Sequence, residues 1–128
     1  MNINDLNSKT AKIALEFCIK TFGVKSGLDI PKIIIHRIPN KNMGEYDSTT
    51  NIIHIYKNSH KSFLEVMDTI IHEYTHYLQN MRAYDIFAKT GTPYKDNPYE
   101  LEAFRMGSMF KKHCKKYVSG TLNLNRKK

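Results

Sequence analysis

The sequence predicts a single α+β domain, residues 1–128, in which an N-terminal helix and a short, mainly antiparallel sheet precede two further helices. The first observation is size, because 128 residues with 41% hydrophobic and 25% charged side chains suit one hydrophobic core. The second is a series of short β-branched segments between residues 32 and 56, bounded by proline and turn-forming residues. The third is the three-to-four-residue spacing of apolar side chains on both sides of that series.

The first half of the chain divides into one helix and three strands. A helix is predicted from Ser8, its candidate N-cap, to about Phe22, and Gly23 stops it. The segment from Lys32 to Ile38 is too short and too β-branched for a helix, so it is predicted to be a strand that Pro39 ends. A hairpin follows, with strands on either side of the turn-forming Ser48-Thr49-Thr50: Met43 to Asp47 and Asn51 to Tyr56.

A longer helix is predicted from about Ser62 to Arg82. Apolar residues repeat along it at helical spacing: Leu64, Met67, Ile71, Tyr74 and Leu78. At about 100° per residue, four titratable residues fall on the opposite side: Glu65, Asp68, His72 and His76. This helix therefore has one face for the core and one face of ionisable groups.

The last predicted helix begins near Asn97-Pro98 and ends before Gly120. Its apolar stripe comprises Ala103, Met106, Gly107, Phe110, Cys114 and Tyr117. The connection from Tyr84 to Asn97 is expected to be a loop with turns at Gly91 and Pro93.

Composition excludes several classes of protein. No apolar run approaches the length of a membrane span, the polar N-terminus lacks a signal-peptide pattern, and two distant cysteines form no disulfide framework. We therefore expect a cytoplasmic chain without membrane contact. Seven of the charges that make the net +8 lie between Lys111 and Lys128, where no acid occurs, so a basic tail over about residues 119–128 is a candidate contact for an anionic partner.

The segment His72-Glu73-Tyr74-Thr75-His76 carries the chemistry, because it is a His-Glu-x-x-His motif inside a predicted helix. Residues four apart differ by about 40° around a helix, so both imidazoles reach one metal ion. Glu73 points beside that ion, where a carboxylate accepts a proton from water rather than binding the metal.

A third protein ligand is expected, since catalytic zinc normally takes three and leaves one position for water. Metzincin spacing is excluded because Gln79 and Arg82 stand where that class has glycine and histidine. Four downstream carboxylates remain as candidates: Asp85, Asp96, Glu100 and Glu102. The last two lie at the start of the final predicted helix.

The region from about Gly44 to Phe110 resembles the compact gluzincins, zinc peptidases that include the IrrE-like group and minimal zincins encoded by phages. In that family a Glu-x-x-Ala motif often provides the third ligand. It maps onto Glu100-Leu101-Glu102-Ala103 and favours Glu100, which helix geometry also turns closer to the apolar stripe than Glu102. Glu100 has a competing role as a capping-box residue after Asn97 and Pro98.

The resemblance implies a small zincin-like fold with Zn²⁺ held by His72, His76 and Glu100. It implies hydrolysis of a peptide or protein substrate with Glu73 as the general base. It also implies that the strand at residues 51–56 borders the cleft and offers an edge to an extended peptide.

The chain departs from the family pattern at Phe104, where many members have an Asp or Asn that orients a ligand imidazole. Asp68 or Glu102 is a candidate for that role. The oxyanion donor has three candidates: His54, Tyr84 and Tyr94.

Two alternative functions stay open. One is a weakly active or inactive zincin-fold structural protein, such as a phage virion or assembly component, because Lys, Ile and Asn are abundant as in AT-rich genomes. The other is a nucleic-acid-associated module that uses the basic C-terminus.

Overall fold

The computed structural model describes residues 1–127, with side chains as far as residue 124. Over those residues the fold is α+β, with four helices and a small sheet of three strands. In chain order the elements are α1 (Ser8–Phe22), β1 (Lys32–His36), β2 (Gly44–Asp47), β3 (Ile52–Tyr56), α2 (Phe63–Leu78), α3 (Met81–Lys89) and α4 (Pro98–Lys127).

Helix α1 has the predicted extent, but its cap is Asn7 rather than Ser8. The Asn7 side chain accepts from the Thr10 backbone N–H at 3.0 Å, and the Thr10 hydroxyl accepts from the Asn7 N–H at 2.9 Å. This reciprocal pair satisfies two backbone donors at the helix start. Gly23 follows with a positive φ of 82°, a conformation that stops the helix where the sequence predicted.

The prediction of a mainly antiparallel sheet was wrong, because the strand order is β1-β3-β2 and the sheet is mixed. β2 and β3 form the predicted antiparallel hairpin. β1 pairs in parallel with the other side of β3, over five residue pairs from Lys32–Ile52 to His36–Tyr56. Although β1 and β2 run in opposite directions, they do not pair, since β3 occupies the position between them.

Helix α2 lies at the centre of the molecule. It packs against α1 and α4 and against β2 and β3. Its largest fully buried side chains include Phe63, Tyr74 and Tyr77, and the sheet adds Ile53 and Ile55, all at 0% exposure. All five belong to one cluster of buried apolar side chains. Because α2 is covered on several sides, its titratable face is buried rather than exposed to solvent.

Helix α2 ends at Leu78, not at Arg82 as predicted, and the expected loop contains a helix. Gln79 is extended, with ψ of 163°. The Asn80 side chain then accepts from the N–H groups of Arg82 and Ala83, at 3.1 and 3.2 Å, and so caps α3. The apolar spacing of α2 continues into α3, which is why the sequence pattern did not reveal the break.

Helix α4 continues through Gly120, where the sequence analysis ended it. Val118 is fully buried and Leu122 packs against the core, so contacts with the body hold this part in the helix. The predicted tail, residues 119–128, is therefore helical as far as Lys127, while Lys128 and the side chains from Asn125 onward lie outside the described part. In residues 1–127 no helix combines the length and apolar character needed to cross a membrane.

Helix α4 lies close against α2 at Gly107. A Cβ atom on Gly107 would lie 2.1 Å from Asp68 Oδ1 and 2.8 Å from the Asp68 backbone oxygen. We expect Gly107→Ala to lower the free energy of unfolding by about 1–3 kcal/mol, because the two helices must separate. Gly120→Ala is the matched control on the same helix, since a Cβ there meets nothing within 4 Å.

Urea denaturation of both variants checks this expectation. Gly120→Ala should be neutral or stabilising by up to about 1 kcal/mol, through helix propensity alone. Equal stability of the two variants would contradict the close approach of α2 and α4.

Candidate metal centre

Three side chains of the predicted site converge on one point. His72 Nε2 and His76 Nε2 lie 3.2 Å apart, and Glu100 Oε1 lies 2.9 Å from each of them. The two imidazoles stand one turn apart on α2, and the carboxylate comes from the first turn of α4. All three residues are buried, with exposures of 7%, 5% and 3%.

These distances fit a tetrahedral zinc site. Ligands about 2.0–2.1 Å from a zinc ion lie about 3.3 Å from each other in a tetrahedron. The His72–His76 separation of 3.2 Å is close to that value, and the two contacts of Glu100 at 2.9 Å need to lengthen only slightly. Two imidazoles and one carboxylate are also a common ligand set for catalytic zinc.

Glu73 is the second carboxylate near the imidazoles, and its position differs from that of Glu100. One ligand atom from each of His72, Glu73 and His76 lies within 4.8 Å of the others, so Glu73 is close enough to be considered as a ligand. However, Glu73 Oε2 lies 4.0 Å from His72 Nε2, whereas Glu100 Oε1 is at 2.9 Å from both imidazoles. Of the two carboxylates, Glu100 fits a third ligand position better, because its shorter contacts are already at ligand-to-ligand spacing.

Glu102, the alternative third ligand, is exposed and contacts Gln79 rather than the imidazoles. Its carboxylate accepts from Gln79 Nε2 at 2.9 Å, and the same amide nitrogen donates to the Tyr99 carbonyl at 2.8 Å. Glu100 does not close a capping box at the start of α4. Its carboxylate contacts the two imidazoles and Tyr84 instead, and the Asn97 N–H donates to the Tyr94 carbonyl oxygen at 3.3 Å.

Gln79 fixes the tautomer of His76. The Gln79 Nε2 atom contacts two acceptors, the Tyr99 carbonyl and the Glu102 carboxylate. Gln79 Oε1 must therefore be the atom that faces His76 Nδ1, at 2.7 Å. His76 Nδ1 therefore carries a proton and donates it to Gln79. In the neutral imidazole this leaves a lone pair on Nε2, directed at His72 and Glu100, which is the form that binds a metal.

Two acceptors then face each other across 2.9 Å, the lone pair of His76 Nε2 and the carboxylate of Glu100. Such a pair requires a cation between its members, either a proton or a metal ion. Burial lowers the pKa of His76, but the hydrogen bond with Glu100 and the charge of that carboxylate raise it by more. Burial raises the pKa of Glu100, but hydrogen bonds from His72, His76 and Tyr84 hold it well below its ordinary value.

Tyr84 holds the other oxygen of the same carboxylate. Its hydroxyl donates to Glu100 Oε2 at 2.5 Å, which leaves Oε1 for the imidazoles. Tyr84 lies on α3, the helix that the sequence analysis expected to be a loop. Its pKa is raised by burial and by the hydrogen bond to Glu100, so it stays protonated and a donor at neutral pH.

Strand β2 positions Glu73. The Tyr46 backbone N–H acts to lower the pKa of the nearby Glu73 carboxyl, but burial of Glu73 raises that pKa by more. A Cβ on Gly44 would lie 2.6 Å from Thr69 Cγ2 and 3.3 Å from Glu73 Cγ. The absence of a side chain at Gly44 therefore allows β2 to close onto the face of α2 that carries Glu73.

The site opens into a cleft of about 670 Å³. One wall is β2 with the residues before it, and the opposite wall contains Tyr84, Tyr94 and Phe104. The prediction that β3 borders the cleft with a free edge was wrong, since β3 is the central strand and β2 is the edge strand beside the cleft.

The candidate oxyanion donors separate into two groups. Tyr84 and Tyr94 line the cleft. His54 is on the other face of the sheet, where its Nδ1 lies 2.8 Å from His36 Nε2 and the two rings stack. This placement removes His54 as a donor, because Ile53 and Ile55, its neighbours in β3, are the residues that face the core.

The candidates for orienting a ligand imidazole are also distinguished. Asp68 is directed to α4, where its Oδ2 lies 3.7 Å from Lys111 Nζ. Glu102 accepts from Gln79, whose Oε1 faces His76 Nδ1, so its link to that imidazole runs through a residue that the sequence analysis did not name. Phe104, the residue at which the chain departs from the compact gluzincin pattern, packs edge-on against the His72 ring at 4.6 Å.

Comparison of the chain with protein families, with curated proteins and with solved structures found no match.

A matched pair of substitutions distinguishes the two carboxylates of α4. Removal of a residue that only hydrogen-bonds to a ligand usually reduces metal affinity by about 10–100-fold. We expect Glu100→Gln to reduce zinc affinity by more than this, because it removes a charged ligand. Glu102→Gln should stay within that smaller range, since it changes only the support of Gln79. Zinc affinity is measured by competition with a chromogenic chelator. A larger effect in Glu102→Gln than in Glu100→Gln would reverse the assignment.

Proposed function

We propose that the protein is a zinc-dependent peptidase in which His72, His76 and Glu100 hold the metal and Glu73 is the general base. The observation that carries this proposal is the buried triangle of His72 Nε2, His76 Nε2 and Glu100 Oε1, with a second carboxylate beside it. The triangle has the size of one face of a zinc tetrahedron, and its fourth direction opens into the cleft.

Each side chain has a separate task in this reaction. When bound, zinc supplies a Lewis acid that polarises the substrate carbonyl and lowers the pKa of a coordinated water. Glu73 takes one proton from the attacking water as the new carbon–oxygen bond forms. It passes that proton to the amine nitrogen when the carbon–nitrogen bond breaks. A raised pKa suits Glu73 to this shuttle, because the carboxyl must hold the proton between the two steps.

The substrate class follows from the walls of the cleft. β2 is an edge strand of four residues beside the catalytic groups, so an extended peptide can pair with it as a further strand. On the opposite wall, Phe104 and Tyr94 are 48% and 59% exposed and their ring centroids lie 6.0 Å apart. We propose that these two rings receive a large apolar side chain next to the scissile bond.

The test of the catalytic proposal is Glu73→Gln. This change keeps the three metal ligands and removes the proton acceptor, so zinc content should stay equal to that of the parent protein. Peptide hydrolysis should fall by about 10²–10⁴-fold, the usual contribution of a general base. Zinc is measured by atomic emission and activity with a quenched fluorescent peptide library.

The same two measurements, zinc content and peptide hydrolysis, distinguish a catalytic zinc ion from one that is only structural. If the ion only joined α2 to α4, the parent protein would contain zinc and cleave nothing above a sample without protein. A Glu73→Gln protein that cleaves as fast as the parent would show that another group is the base.

The apolar subsite predicts the effect of Phe104→Ala. We compare two peptides that differ only in Phe or Ala beside the cleaved bond. The ratio of their kcat/KM values should fall by about tenfold or more in the variant, since apolar contacts of this size contribute about 1–3 kcal/mol. The ratio is insensitive to a general decrease in activity from the contact of Phe104 with His72. An unchanged ratio would exclude Phe104 from the subsite.

A further inference from the structure

The outer side of the α1–α4 pair carries a continuous positive surface that the catalytic proposal does not use. We call it the basic face and define it by six exposed residues: Lys9, Lys12, Lys20, Arg105, Lys112 and Lys116. On α1 the three lysines follow the helical repeat, and on α4 the spacing of seven and four residues also keeps the cations on one side.

Contacts between the two helices place these cations on a common surface. Phe22 contacts Phe110 at a centroid distance of 5.0 Å, and Phe17 contacts Tyr117 at 5.8 Å, so α1 and α4 run antiparallel. Lys20 Nζ donates to the Tyr117 hydroxyl at 2.9 Å and thereby bridges the two helices on the exposed side. Both helices bury their opposite sides against α2.

Charge is unevenly distributed over the molecule. Two exposed acids lie on or beside the basic face, Glu16 on α1 and Glu102 at the start of α4. The cleft, in contrast, is lined by three further acids, Glu45, Glu65 and Asp68, and one lysine, Lys41, besides Glu73 and Glu100. Positive charge is therefore concentrated on the basic face, while carboxylates predominate in the proposed peptide cleft.

We propose that the basic face binds the phosphate backbone of a double-stranded nucleic acid without reading its sequence. Lys9 and Lys20 are separated by about 16 Å along α1, a length over which one strand of a duplex presents about five phosphates. Five of the six cations are lysines, which act as point charges towards phosphates. Two large apolar residues are exposed on this side of α4, Leu101 at 51% and Met109 at 57%, too little apolar surface for insertion into a lipid interface.

This surface is independent of the proposed metal centre. Glu100 turns to the side of α4 that faces α2, where it contacts His72 and His76. Nucleic-acid binding can therefore be measured, and can fail, separately from zinc binding and hydrolysis.

The experiment uses two variants of equal charge. The first carries Lys12→Gln, Lys112→Gln and Lys116→Gln on the basic face. The control carries Lys32→Gln, Lys61→Gln and Lys89→Gln at exposed positions elsewhere. Each has a net charge of +5, since three of the eight positive charges are removed. Both keep the cations at residues 126–128, so any contribution from those three cancels.

The probe is a fluorescent DNA duplex of mixed sequence and about 20 base pairs, titrated at about 50 to 200 mM salt. We expect the slope of log affinity against log salt concentration to become shallower by up to about 2.7 for the basic-face variant, or about 0.9 for each phosphate that a lysine no longer neutralises. The control should keep the parent slope. A third variant with Lys→Arg at positions 12, 112 and 116 should bind like the parent.

Three results would overturn the proposal. In the first, the parent protein fails to bind the duplex even at the lowest salt. In the second, the control variant loses as much duplex affinity as the basic-face variant. In the third, the parent protein binds vesicles with about one-third anionic lipid in preference to the duplex, and the basic-face substitutions abolish that binding.

Discussion

The close packing of α4 on α2 is the contact on which the candidate site depends. His72 and His76 are neighbours on α2 by helical geometry alone, but a third ligand at 2.9 Å from both requires a second helix at the right distance. Gly107 sets that distance, because its missing side chain lets α4 approach the Asp68 backbone. A core contact two turns along α4 from Glu100 thereby controls the geometry of the candidate metal centre.

Electrostatics makes this contact costly without a cation. Four titratable groups are buried together, namely His72, Glu73, His76 and Glu100. Burial of a carboxylate against an imidazole lone pair destabilises the fold unless a proton or metal lies between them. Gln79 strengthens the need for a cation between His76 and Glu100, because it holds the His76 proton on Nδ1 and leaves Nε2 as an acceptor. A bound divalent ion removes the repulsion and links metal affinity to the stability of the α2–α4 contact.

The sequence predicted those parts of the fold and site that depend on spacing within one element. The fifteen-residue α1, the hairpin and the convergence of His72 with His76 all follow from local periodicity and turn residues. The strand order did not follow, because nothing local distinguishes β3 as central until its Ile53 and Ile55 are seen to be fully buried. Asn80 was the available signal for the break between α2 and α3, as a helix-capping residue after a polar Gln79, but the apolar spacing across it concealed the boundary.

The missed helix matters for the site as well as for the fold. α3 contributes no fully buried side chain, so burial alone does not fix its position. Contacts with α4 hold it instead: Tyr84 with Glu100, and Phe87 with Tyr99 at 5.9 Å. The dependence is mutual, because Tyr84 determines which oxygen of Glu100 faces the imidazoles while Glu100 anchors α3 beside the cleft. A cation that orders the Glu100 carboxylate would therefore also order α3, which forms part of the wall of the cleft.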